Sequence, residues 1–115
     1  MMDNTIVKQS LIQINVGLDS QNNPQHITWS ATDSGMEENR EVKAFILSLW
    51  DKKENNSMRL ELWNKEMMVD EMKTFIYQSI ISMSDLLNRS TGESELSEDM
   101  KDFAAYFAKK ADLLK

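Results

Sequence analysis

No cysteine occurs in the chain, so disulfides and thiolate metal sites are excluded. There is one histidine, His26, and a zinc site needs three or four ligands, so His26 has no companions for one. Only three glycines are present, Gly17, Gly35 and Gly92, too few and too scattered for a phosphate-cradling loop. No run approaches the roughly 20 apolar residues of a membrane span. Residues 1–9 contain Asp3 and Lys8 but no apolar stretch of the ~7–15 residues a secretory leader requires, which makes the cytoplasm the expected location. Basic residues are in the minority, 13 against 19 acids, for a net charge of −6. Nucleic acid and anionic membrane surfaces would repel such a chain, though modest negative charge is also simply what keeps a small domain soluble.

What is present is an ordinary globular composition, 41% hydrophobic and 28% charged over 115 residues. That length fits a single domain, residues 1–115, large enough to build a core without staples. Residues 11–18 alternate, with Ile12, Ile14, Val16 and Leu18 on one face, and residues 26–31 alternate again through Ile27, Trp29 and Ala31. A period of two reads as a half-buried strand. The intervening 19–25, rich in Asn and Asp with the single Pro24, is a turn, and 32–39 is a second loop in which Gly35 is the expected site of positive φ. Residues 42–50 are densely apolar, 52–56 are a polar loop, and 58–63 alternate, which together predict a hairpin.

The period then lengthens. Val69, Met72, Phe75, Ile76, Ile80, Met83, Leu86 and Leu87 fall at helical spacing, with Asp70 and Glu71 in the first turn where the helix dipole favours acids. Residues 88–94 end this helix, with Gly92 available for the reversal. Ser97 is the expected N-cap of a second helix, whose stripe is Met100, Phe103, Ala104, Phe107, Ala111 and Leu114. Strands followed by helices predict an α+β fold: a four-stranded, mostly antiparallel sheet and two C-terminal helices packed on one face.

The side chains offer no reaction centre. Nucleophilic serine chemistry lacks the G-x-S-x-G elbow, and the adjacent acids Glu37–Glu38, Asp70–Glu71 and Glu98–Asp99 sit in loops and helix starts, where carboxylates are solvated or cap a helix. Nine methionines, among them Met67, Met68 and Met72, invite a soft-metal reading. Without a Met-x-Met repeat they are better read as gap-filling core residues, or near loops as adaptable contact residues. The expectation is a non-enzymatic protein with no catalytic, cofactor or metal residues.

The hairpin is more informative. If its loop closes symmetrically, Trp50 pairs with Ser57 and Ala44 with Trp63. One face then collects Phe45, Leu47, Leu49, Met58, Leu60 and Leu62, and the other Ala44, Ile46, Trp50 and Trp63 beside Ser48, Arg59 and Glu61. A solvated sheet face is normally polar. A face with two tryptophans and an isoleucine rimmed by charge has the composition of a contact surface. Ala44, Ile46, Trp50, Arg59 and Trp63 are therefore the candidate interface residues. The competing possibility is that the loop 32–39 folds over them.

Several stretches carry a family resemblance: Ile27-Thr28-Trp29-Ser30-Ala31 with Asp33 and Gly35, Ser48-Leu49-Trp50-Asp51, Arg59-Leu60-Glu61-Leu62-Trp63-Asn64-Lys65, Met67-Met68-Val69-Asp70-Glu71-Met72-Lys73 and Asp102-Phe103-Ala104-Ala105-Tyr106-Phe107-Ala108. With them the chain resembles the GldC family of gliding bacteria. The resemblance implies a cytoplasmic accessory protein of the gliding apparatus, with no known reaction or cofactor. Protein partners in the gliding or secretion machinery are therefore expected, and the candidate face is expected to dock such a partner or to self-associate as a homo-oligomer. The element order is also similar to that of the export chaperone SecB, a fold-level analogy that makes a holdase the alternative function.

Overall fold

The structure, a computed structural model, describes residues 4–32 and 39–113. The chain forms two compact units, Met1–Met67 with the strands and Met68–Lys115 with the helices. Gly35, Met36, Glu37–Glu38 and Leu114 lie outside the described residues.

The first unit contains β1 (Ile12–Leu18), β2 (Pro24–Ala31), β3 (Arg40–Val42), β4 (Ala44–Asp51) and β5 (Asn56–Trp63). The expected single four-stranded sheet is not what forms. Five strands make two antiparallel sheets, β1-β2-β3 and β4-β5. The reason lies at Lys43. The stretch read as one strand from residue 42 is broken there by a bend, so Arg40–Val42 pairs with β2 while the residues beyond pair with β5. One chain segment thus belongs to two sheets in succession.

In the first sheet the expected apolar face is assembled by the register: Ile14 pairs with Trp29, Val16 with Ile27 and Ile12 with Ala31. Ile27, flanked by β1 and β3, is fully buried. Ile12 and Leu18, toward the ends of β1, remain exposed. The β1–β2 turn is organised by Asp19. Its carboxylate accepts hydrogen bonds from the backbone N–H groups of Gln21 (2.8 Å) and Asn23 (2.9 Å) and from the side chain of Gln25 (3.1 Å). Those donors, chiefly the Asn23 N–H, hold the Asp19 carboxyl below its ordinary range.

The second unit is a helical hairpin of α1 (Val69–Thr91) and α2 (Ser94–Lys110), which pack on each other. The Glu71 carboxylate accepts the Met68 N–H at 2.9 Å, satisfying one of the donors a helix start leaves open. Helix α1 runs past Leu87, where its apolar period stops. The hydroxyls of Ser90 and Thr91 bond back to the carbonyls of Leu86 and Leu87 and accompany a further turn. Gly92 then ends it in the left-handed conformation, φ 76°, as expected of the reversal.

Ser97 is not the N-cap. The second helix begins three residues earlier, at Ser94, and Ser97 lies buried inside it. Its hydroxyl donates to the Ser84 carbonyl (2.8 Å) and the Ser84 hydroxyl to the Ser97 carbonyl (2.7 Å). Two small polar residues are thereby satisfied across the helix contact, and Ala104 and Ala108, both fully buried, complete the small-residue surface of α2.

Candidate protein-contact surface

The β4-β5 hairpin closes as its symmetric loop requires. Asp51 stands opposite Asn56, and its side chain accepts the N–H groups of Lys53 (3.1 Å) and Glu54 (2.6 Å). Asn55 takes the left-handed conformation, φ 53°, that turns the chain back. This loop sets the register of every pair behind it: Trp50↔Ser57, Ser48↔Arg59, Ile46↔Glu61 and Ala44↔Trp63.

Directly opposed residues share a face, so the five residues singled out from the sequence come together on one side of the hairpin. Trp50 and Trp63 stand at diagonally opposite corners, about 20 Å apart at roughly 3.3 Å per residue. They are 68% and 58% exposed, and Ile46 between them is 39% exposed. Ala44 is half-buried. Arg59 and Glu61 form an exposed ion pair at 2.7 Å on β5 and leave the face electrically neutral. Residues 33–38 of the loop weighed as a cover lie outside the described residues.

The opposite face of the hairpin is wholly apolar at its six central positions, and Leu49, Met58 and Leu60 on it are each more than half exposed. The helical hairpin has a comparable side. Val69, Ile76 and Met83 recur every seven residues on α1 and Leu96 and Phe103 on α2, all exposed.

One structural residue of the region was not singled out as a site from the sequence. Asn64, just after β5, is 4% exposed. Its backbone N–H reaches the Lys43 carbonyl (2.9 Å), its side-chain oxygen accepts the Glu66 N–H (3.1 Å), and its amide group lies 3.5 Å from the Gln25 carbonyl. It therefore ties the bend between β3 and β4 to the start of β2. A hollow of about 320 Å³ opens beside it, lined by Asn23, Pro24, Leu62, Trp63 and Lys65.

His26 and Glu41 approach to 3.7 Å across the first sheet, both well exposed. Among the described residues no group of three or more His, Cys, Asp or Glu side chains is placed to hold a metal ion. No helix among them is long and apolar enough to cross a membrane.

A family model described as gliding motility-associated protein GldC-like matches residues 24–113, which include β2 through α2. Neither a curated protein nor a solved structure matches the chain.

Proposed function

Because the chain belongs to the GldC-like family of gliding motility-associated proteins, we propose that it serves gliding motility as a non-enzymatic cytoplasmic protein that binds other proteins. Its partners on this reading are components of the gliding or linked secretion machinery. The observation that carries the proposal is the neutral face of the β4-β5 hairpin, with Trp50, Trp63 and Ile46 exposed on one side. Aromatic anchors with a polar rim are the composition of protein interfaces, where a few such residues dominate the affinity.

The test is crosslinking and pull-down from native cytoplasm, with the captured proteins identified. Ile46→Asp and Trp50→Ser alter exposed side chains and should leave the circular dichroism spectrum intact while abolishing capture. Undiminished capture by both variants would defeat the proposal.

A second reading, a SecB-like holdase, is favoured by the apolar side chains exposed on the other face of the same hairpin, Leu49, Met58 and Leu60. A client panel separates the two. An assembly factor selects one folded partner, whereas a holdase suppresses the aggregation of several unfolded ones.

A further inference from the structure

We propose that the Trp50–Trp63 face of the β4-β5 hairpin docks a second copy of this chain, about a two-fold axis lying between the stacked sheets and running across the strands. The proposal rests on the reading of this face as a protein-contact surface and adds a second copy of the chain to the partners that face takes.

The argument comes from the register. A contact about a two-fold axis must be self-complementary, because the same patch meets itself. Along β4 the face reads Ala44, Ile46, Ser48, Trp50, and along β5 in the same direction it reads Trp63, Glu61, Arg59, Ser57. A two-fold axis across the strands lays each strand over its own copy with the order reversed. Trp50 then lies over the partner's Ala44, and Trp63 lies over the partner's Ser57. Ile46 meets the partner's Ser48, and Arg59 meets the partner's Glu61. Each large residue falls on a small one, and each charge falls on its opposite. Stacked sheets keep their strand directions within about 30°, so these layers stay within reach of one another despite the twist.

Charge selects the same occupant. Two chains of net charge −6 repel wherever acid meets acid. This face contributes one arginine and one glutamate, a sum of zero, and under the two-fold axis both find partners.

The two charges make a test that a different partner would not pass. Arg59→Glu gives a face with two acids, and Glu61→Arg gives one with two guanidinium groups. Either variant alone opposes like charges twice across the dyad and should weaken self-association on the order of tenfold or more. Mixed in equal amounts, the two variants should associate with each other, because the acids of one face the bases of the other. The intrachain ion pair is missing from both, so its restoration cannot explain the rescue. The readout is mass by light scattering from about 1 μM to 1 mM. The unaltered chain should approach twice 13.3 kDa, each single variant should do so only at a concentration roughly tenfold higher or more, and the mixture should return to the doubled mass where the unaltered chain reaches it.

Self-association undiminished in both single variants, or a mixture no stronger than either of them, overturns the two-fold arrangement. An unaltered chain that stays monomeric throughout also overturns the second copy as occupant. If Ile46→Asp still abolishes capture of another protein, the contact face itself stands. If capture ignores Ile46→Asp as well, both readings fall.

Discussion

The buried serine pair of the helical hairpin allows a stability effect to be worked out. Ser84 is fully buried and Ser97 is 3% exposed, and each hydroxyl donates to the other residue's backbone carbonyl. Ser84→Ala removes one of these bonds. A typical intramolecular hydrogen bond contributes about 0.5–1.5 kcal/mol net, and alanine's better helix propensity returns roughly half a kcal/mol. Each single substitution should therefore cost between about 0 and 1 kcal/mol. At about 2.1 cal/mol/K per residue, the 115 residues give an unfolding entropy near 240 cal/mol/K, so 1 kcal/mol corresponds to about 4 °C in Tm. The more telling quantity is the coupling. The hydroxyl oxygens lie 2.8 Å apart, so removing one alters the surroundings of the other. The double variant should deviate from the sum of the singles by about 0.5 kcal/mol or more, as groups in one hydrogen-bond network do. Urea unfolding measures all four chains, with far-UV circular dichroism reporting chiefly the helices and tryptophan fluorescence reporting the strands, which carry Trp29, Trp50 and Trp63. Coincident transitions license the cycle as a single free energy. Additivity within about 0.3 kcal/mol would refute the claim that the pair works as a unit.

Asn64→Ala leaves the backbone bond to Lys43 but removes the acceptor for the Glu66 N–H, and should destabilise the chain by about 0.5–1.5 kcal/mol in urea unfolding. Asp19→Asn should lower Tm at neutral pH. The native carboxyl titrates below its unfolded value of 3.8, so its contribution is full above that value and fades as pH falls below it, and the Tm difference between the two chains should close in acid. Prolonged EDTA treatment should leave Tm unchanged; a large drop would reveal a metal site that no ligand cluster among the described residues accounts for.

Much of this architecture was legible because its signals are local. Alternation in β1, β2 and β5 and the apolar stripes of α1 and α2 each repeat often enough for a period to emerge. The hairpin register followed from one assumption about its loop, and the loop met it through Asp51 and Asn55. What could not be read depends on partners distant in sequence. Arg40–Val42 is too short to show a period, so Arg40 and Glu41 carry no strand signal, Val42 and the bend at Lys43 merge with the following strand, and two sheets look like one. Ser97 had the credentials of a cap, but its hydroxyl is taken by Ser84, thirteen residues away. Asn64 resembled any polar residue after a strand, and its role depends on Lys43 and Gln25. The candidate face was legible in composition and register alike, since both are set within one hairpin.

The two-stranded sheet has a consequence for how this protein behaves at high concentration. Among the described residues β5 pairs only with β4, so eight residues of its outer backbone edge present their alternate N–H and C=O groups without a ladder partner. Such an edge is a template for stacking copies strand upon strand. The segment Met58–Trp63 is rich enough in Met, Leu and Trp to feed a fibril, and Arg59 and Glu61 are the two residues that interrupt it. An added strand in parallel register would have to place arginine beside arginine and glutamate beside glutamate. The same pair that neutralises the face thus acts as a gatekeeper of the edge, and replacing both with apolar residues would trade solubility for amyloid-like growth.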